Sequence, residues 1–552
     1  MTAVPISLAT IALVRMLSRM VPLYAVDFAR QGEGVPMSED VTGSNSVESQ
    51  GEELRPDIAE VVRLRAAALD AARPEAVAKR RKTGHWTARE NIDTFLDDGS
   101  FLEIGRLTKP KLDHMSGPAD GLVMGTGTVD GKAVAVMSYD YTVYAGTQSP
   151  HNHMKHDRLF QLAMKHRWPL VTWLEGGGAR PHDSMTGRVG VTTTFVDFAR
   201  ASGWIPLIGI CAGRAFAGSA NLCGMCDILI ATPKAAIGMA GPPLVKAALG
   251  KDFTPEEIGP PEVHMAQGVI DVLVKDEGEA IEVAQKYLSY MGGPTEPGEA
   301  PDVRKLRDIV PDSPRRAYDV RKVIEGIADV GSVLELKPKF GRAMVTSLIK
   351  IEGHPVGVIA NQPMFLAGAI DSHASEKAAR FIQLCDAHDI PMLSLCDTPG
   401  LMVGPEVERT GLVRRSARVL LALANATVPI MTIVLRKAYG LGYYVMGSEP
   451  LEPTLLLAWP TAEFGGMGIE GAVNIIYKPE LEAAPDKESH DRLHAEKVAE
   501  LKKRNTALEV AGRFEFDDVI DPADTRWFLA ETLKRLPAPP TRTVKKHMID
   551  SM

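Results

Sequence analysis

The apolar positions of this chain fall in short continuous runs rather than in strict alternation. WPLVTWL (168–174), WIPLIGI (204–210), IPMLSLC (390–396) and VPIMTIV (428–434) are such runs. Between them lie stretches with helical spacing, among them FVDFARA (195–201) and RRSARVLLALA (414–424). Short β-rich runs alternating with amphipathic helices indicate βαβ units in an α/β fold. Continuous rather than alternating apolar runs predict strands covered on both faces.

The pattern repeats. Residues 128–172 align with 350–394 without a gap, at a constant offset of 222 positions. Gly131 meets Gly353, Ala145-Gly146 meets Ala367-Gly368, His151 meets His373, Arg158 meets Arg380, and Pro169 meets Pro391. Beyond that block, WPLVTWL ends in GGGAR and IPMLSLC ends in DTPG; small-residue segments, CAGRAFAGSA and RKAYGLGYY, follow the next strands. This is the mark of an internal duplication. A stretch rich in Gly, Pro and Glu (291–308) separates the halves. The expected division is a weakly structured extension at 1–55, a first domain at 56–300, a linker at 301–316 and a second domain at 317–552.

Composition narrows the function classes. The 552 residues are 45% hydrophobic and 24% charged with net charge −8, ordinary for a soluble protein and against a nucleic-acid binder. Five cysteines suit a reducing cytoplasm, not a disulfide scaffold. Cys223 and Cys226 form a CxxC near Cys211, but they lie where an apolar helix runs into a strand and read as buried thiols; no metal site is expected. The N-terminal run PISLATIALV is too short to span a membrane and lacks a preceding basic region, so neither a membrane anchor nor a secretory signal is expected. The sequence leaves Met1 and Met37 both open as the natural start.

Familiar catalytic signatures are absent or misplaced. Gly466 to Gly471 spell GxGxxG, but at the end of the second repeat, not after the first strand of a βαβ unit. Gly131-Lys132 fails the phosphate-loop pattern at Thr126 and Ala133. Ala163-Met164-Lys165 looks like a biotin-attachment tripeptide, yet its helical context predicts a solvated lysine. There is no GxSxG elbow and no HExxH. What remains are Gly/Ala-rich turns at strand ends, where peptide N–H groups can approach a ligand closely and serve as an oxyanion hole.

These residues resemble the carboxyltransferase (β) subunits of biotin-dependent acyl-CoA carboxylases, of the propionyl-CoA carboxylase kind, within the crotonase-like superfamily. The resemblance covers about residues 56–545. It rests on TARENIDTFLDDGSFLEIG (87–105), LEGGGAR (174–180), the 209–242 and 361–404 segments, RKAYGLGYYVM (436–446), AWPTAEFGGMGIEGAV (458–473) and DDVIDPADTR (517–526). It implies an α/β fold of two tandem crotonase-like (ClpP/crotonase) domains. The first would bind acyl-CoA; the second, from a neighbouring subunit, would bind carboxybiotin. It further implies a homo-hexamer built as a trimer of dimers, and a partner (α) subunit carrying the biotin carboxylase and biotin carboxyl carrier functions. In that chemistry carboxybiotin releases CO2, the ureido nitrogen takes the α-proton of the thioester, and the enolate attacks CO2. The protein contributes orientation and electrostatics. A decarboxylase of the glutaconyl-CoA type and a non-catalytic CoA-binding homologue are the alternatives.

Carried over by position, Gly177 and Gly178 match the acyl-CoA oxyanion hole, with Gly176 where the family has serine and Ala179 beside them. Leu441 and Gly442 match the biotin oxyanion hole, within Gly-Leu-Gly-Tyr-Tyr where the family more often reads Gly-Gly-Ala-Tyr-Asp. Tyr444 therefore replaces an aspartate of the acyl pocket, next to Tyr443. Arg214, followed by Ala215, replaces the usual glycine of a CAGGA turn; it reads either as a ligand for a CoA phosphate or as a solvated arginine, the latter slightly preferred.

Overall fold

A computed structural model of the chain describes residues 54–184, 192–313 and 316–551. The expected extension at 1–55 and the Met37 alternative fall, except for Leu54 and Arg55, outside the described residues. The first half carries β1 (Leu102–Glu103), β2 (Leu122–Val129), β3 (Lys132–Tyr139), β4 (Leu170–Trp173), β5 (Leu207–Cys211), β6 (Arg214–Phe216), β7 (Ile228–Ala231), β8 (Ala236–Gly238) and β9 (Val272–Leu273). Seven of these form one sheet in the order β1-β2-β3-β4-β5-β7-β9, while β6 and β8 pair separately. The second half carries β10 (Leu334–Leu336), β11 (Met344–Ile351), β12 (His354–Asn361), β13 (Met392–Thr398), β14 (Ile430–Tyr439), β15 (Leu455–Ala458), β16 (Glu463–Gly465) and β17 (Asp518–Val519). Its sheet runs β10-β11-β12-β13-β14-β15-β17, with β16 beside the end of β14. In both, the first three strands are antiparallel and the rest parallel. The two halves are tandem crotonase-like domains of one topology.

The duplication extends to backbone detail. Asp130-Gly131 turns β2 into β3, and Glu352-Gly353 turns β11 into β12; all four residues have positive φ, the pattern of the tight hairpin turn that matches strand twist. Ser149 caps the helix Pro150–His166, and Asp371, 222 positions on, caps the helix Ser372–Ala387; each side chain accepts a backbone N–H three residues ahead. Lys155 and Lys377 occupy one register position on these helices. Both ammonium groups are buried against backbone carbonyls, and burial pulls both down to about 7. Strands β4, β5, β7 and β13 are buried at every position, as their continuous apolar runs predict.

The halves share a core, with buried residues of both in one apolar cluster. Across this seam two carboxylates of the first half meet basic side chains of the second. Asp227 accepts from the Leu207 N–H at 3.0 Å and lies 2.8 Å from His388 Nε2. Asp271 accepts from the Leu229 N–H at 2.8 Å, and its other oxygen is 3.2 Å from Lys337 Nζ and 3.8 Å from Arg380 Nη1. Arg380 also donates to the Cys226 and Asp227 carbonyls at 2.9 and 2.8 Å. Burial lowers Lys337 to about 8, with the Asp271 charge holding it up. The stretch at 291–308 is tied down: Leu306 is fully buried in the second half's core, and Arg307 pairs with Asp521 at 2.6 Å.

The C-terminal tail straps the seam. Ile549 N–H donates to Ser202 in the first half, while Arg542 and Lys546 reach Asp389 and Asp386 in the second. Burial works against the Asp386 charge, but hydrogen bonds from His547 and the Thr427 N–H, together with Lys546, hold its carboxyl well below the usual range. The same bond raises His547. All five cysteines are buried free thiols. Lys165 is exposed on its helix. No helix among the described residues is long and apolar enough to cross a membrane.

Two outcomes follow. Asp271→Leu leaves Lys337 and Arg380 as buried cations without their carboxylate and should cost about 3–5 kcal/mol in urea unfolding; a loss under about 1 kcal/mol would contradict the role given to the seam. The His547 contribution has the sign of a raised pKa. It is complete below the ordinary value of 6.5 and is lost as pH climbs through the folded-state value. The melting-temperature gap between wild type and His547→Gln should therefore be full below the ordinary value of 6.5 and shrink as pH rises above it.

Candidate active site

The first glycine turn follows β4. Gly176 is consumed by β6: its N–H donates to the Arg214 carbonyl at 2.7 Å and its carbonyl accepts from Phe216 at 2.9 Å. Two residues on, the Gly178 carbonyl accepts from the Gln148 N–H at 2.7 Å, and the Arg180 N–H donates to the Gln148 carbonyl at 2.6 Å. The N–H groups of Gly177 and Gly178 lie between these anchors and have no acceptor among the described residues. Gly177 is exposed and Gly178 buried. A Cβ on Gly177 would meet nothing closer than Thr147 Cγ2 at 3.8 Å, so this face is open. Gly178, at φ +82°, would place a Cβ 2.7 Å from that of Ala217. Gly176, at φ +121°, would place one 2.1 Å from the Gly146 carbonyl oxygen, so the serine usual at that position does not fit this backbone.

Buried ion pairs fix the turn. Arg180, 1% exposed, donates to Asp120 at 2.7 Å and Asp183 at 3.0 Å and lies 4.7 Å from the Tyr144 ring. Glu175, just before the turn, pairs with Arg80 at 2.5 Å. Burial raises the Glu175 carboxyl, with the Arg80 charge opposing it.

The second half repeats this frame with a different outcome. Thr398 bridges Ala438 as Gly176 bridges Ala215, and Ile370 bridges Leu401 as Gln148 bridges Ala179. Asp397 takes the place of Glu175, held by Arg436 at 3.0 Å and Lys437 at 2.7 Å. The position of Gly177 is now Pro399, which has no N–H. Free donors appear instead where β14 passes into the short helix Gly440–Tyr444. The first N–H groups of a helix have no partner within it, and those of Leu441 and Gly442 find none elsewhere among the described residues. Gly440 sits at φ +52° against the Gly466 carbonyl, and a Cβ on Gly442 would lie 2.6 Å from Gly400 Cα. The Leu441 side chain is 54% exposed.

The other expected site residues fall around these turns. Ala179 is exposed beside Gly178, and Ala215 is buried beneath Gly176. Arg214 is exposed and pairs with Glu256 at 3.3 Å. Tyr443 packs edge-on against Phe464, while Tyr444 is 45% exposed. Gly176 to Ala179 and Arg214-Ala215 thus come together in one half, and Leu441 to Tyr444 gather in the other. No hydrogen bond or ion pair joins the two turns among the described residues. Sequence reasoning missed Asp120 and Arg80, which hold the first turn from 60 and 95 positions away from their partners; nothing local marks either. The GxGxxG segment follows the three-residue β16 and opens the helix Ile469–Ile476, and Gly466, Gly468 and Gly471 have open space around their Cα atoms.

Known proteins with the same pattern carry this geometry further. A family model described as the carboxyl transferase domain matches residues 79–548. The methylmalonyl-CoA carboxyltransferase 12S subunit of Propionibacterium freudenreichii subsp. shermanii is 37% identical over 85% of this chain and 92% of its own. The propionyl-CoA carboxylase beta chain of Saccharopolyspora erythraea is 37% identical over 87% of this chain and 92% of its own. Among solved structures, the transcarboxylase 12S hexamer with methylmalonyl-CoA and methylmalonic acid bound is 36% identical and superposes with a TM-score of 0.81 over 89% of this chain and 96% of that one. A single-chain, multi-domain long-chain acyl-CoA carboxylase is 44% identical with a TM-score of 0.81; this chain spans about half of its length, 49%. Two tandem halves, each ending in its own turn of free backbone donors, and this extent of likeness lead to one conclusion: the chain belongs to the carboxyl transferase domain family and is an acyl-CoA carboxyltransferase.

Proposed function

We propose that this chain is the carboxyltransferase subunit of a biotin-dependent acyl-CoA carboxylase, moving CO2 from carboxybiotin on a partner subunit to the α-carbon of propionyl-CoA or another short acyl-CoA. The observation that carries this reading is the pair of turns, one per half, each offering two backbone N–H groups with no internal acceptor among the described residues. Residues 56–300 form the acyl-CoA domain and 317–552 the carboxybiotin domain, joined through 301–316. The absence of any bond between the turns among the described residues of one chain supports a site completed by the neighbouring subunit's second domain. The hexamer named for the 12S relative supports a trimer of dimers. Unpaired buried thiols support a reducing cytoplasm.

Gly177 and Gly178 receive the thioester oxygen. As the α-proton leaves, charge builds on that oxygen and the two N–H bonds strengthen, which lowers the barrier more than it aids binding. One such donor is worth about 2.7–4 kcal/mol. Arg180 and Glu175, locked in buried pairs, keep the donors aimed without reorganisation. The second turn fits biotin: a ureido carbonyl is an acceptor, and Leu441 and Gly442 present donors with no side chain between. When bound, carboxybiotin supplies the CO2 and the base. Tyr444, exposed at the end of the same short helix, forms a wall of the acyl pocket.

The tests separate backbone from side chain. Leu441→Pro removes one N–H near a helix start, where proline is tolerated, and should lower turnover about 10²–10³-fold. Leu441→Ala keeps the N–H and should stay within a few-fold of wild type. Equal losses in both variants would sink the assignment. Tyr444→Asp should change the ratio of kcat/KM between propionyl-CoA and longer acyl-CoAs by about 10-fold or more; a uniform fall across acetyl-, propionyl-, butyryl- and longer substrates would place Tyr444 outside the acyl pocket.

A further inference from the structure

A cavity lies at the opposite end of the first sheet from the glycine turn. The Gly176–Gly178 turn follows the end of β4, whereas this cavity is lined by Arg167 and Pro169, just before β4 begins, and by Trp204 and Pro206, just before β5. Its volume is about 910 Å³, the size of a small-molecule site. Apolar walls come from Val134, Leu288 and Met291 of the first half. Pro539, Pro540 and Arg542 of the C-terminal strap close it from the other side.

Its charges are unevenly satisfied. Arg542 spends one guanidinium nitrogen on the Ala387 carbonyl and Asp389, at 2.9 and 2.6 Å. Its Nε and other terminal nitrogen are buried without a partner among the described residues and are closed to a ligand in the cavity. Asp389 is shared by Arg542 and Lys546, and His388 is committed to Asp227. Lys132, Arg167 and Lys350 also line the cavity, and none has an ion-pair partner among the described residues. Arg167 lies 4.5 Å from the Trp204 ring, at the mouth. Burial and the nearby Lys132 charge push Lys350 below its ordinary value, with Asp329 and Asp130 partly offsetting them. Lys132 and Lys350 share the cavity wall closely enough to repel each other, and an apolar cavity with unpaired cations on its wall suits an anion placed between them.

We infer that this seam cavity, distinct from the carboxyl-transfer site, binds an amphipathic anion, with its carboxylate or phosphate head near Lys132 and Lys350 and its apolar body along Trp204, Leu288 and Met291. Because Lys132 of the first half, Lys350 of the second and Pro539 and Pro540 of the strap all line this cavity, a ligand here stabilises the seam. The inference does not rest on the biotin reading, and its test does not use turnover.

The test is calorimetric and thermal titration of the full-length protein with octanoate and, separately, octyl phosphate; the preferred head group tells which source of the anion the site suits. Saturable binding of either, with a rise in melting temperature, is the expected result. Lys350→Gln should weaken it about 10-fold or more. If that variant fails to fold, Lys132→Gln/Arg167→Gln, at two exposed positions, should weaken binding at least 3-fold with unchanged melting temperature in the free protein. Saturating acyl-CoA should not displace either probe. The inference is overturned by failure of both probes to bind saturably at millimolar concentration, by unchanged binding in the variants, or by displacement with acyl-CoA.

Discussion

The meeting of Asp227 and Asp271 with His388, Lys337 and Arg380 is the constraint on which the rest of this structure depends. Each carboxylate already accepts a backbone N–H of the first sheet, from Leu207 and Leu229. Each then reaches across the seam to a basic side chain of the second half. The two sheets are thereby keyed together by charges that neither half could keep buried alone. Burying an ion pair is seldom a net gain over apolar packing, but an unpaired charge at this depth is strongly unfavourable. The effect is registry: one docking satisfies the set, and slipped dockings leave charges unpaired.

Within that frame the duplication kept its backbone and changed its chemistry. Hairpin turns, helix caps, buried lysines and strand-end bridges recur at the same offset. Even the carboxylate beneath each turn recurs, as Glu175 with Arg80 and as Asp397 with Arg436 and Lys437. The turns themselves diverged. Gly177 offers an N–H where Pro399 has none, so the donors of the second half moved to the start of the Gly440–Tyr444 helix. The same frame thus presents two donor sites at different points of the loop cluster, which we propose serve a thioester and a ureido ring.

Much of this architecture is legible in the amino-acid sequence. Continuous apolar runs predict buried parallel strands, and the ungapped repeat predicts two like domains. The glycines at 176–178, 440 and 442 are conspicuous because no other catalytic signature competes with them. What stays hidden depends on distant partners. Arg180 closes the LEGGGAR motif, yet its role rests on Asp120, 60 positions upstream. The replacement of serine by Gly176 reads as a simple substitution; only the backbone, at φ +121° against the Gly146 carbonyl, shows that glycine is required there. Arg158 and Arg380 align in sequence, but only Arg380 faces the seam, and nothing local distinguishes them.

The most direct test of the central claim, that backbone amides of the two turns and not side chains carry the transfer, is a structure of the assembled enzyme with acyl-CoA and biotin bound. The account predicts the thioester oxygen about 2.7–3.1 Å from the Gly177 and Gly178 nitrogens, and the ureido oxygen at similar distances from those of Leu441 and Gly442. A thioester or ureido oxygen held instead by side chains, or lying beyond hydrogen-bond reach of these four amides, would contradict it.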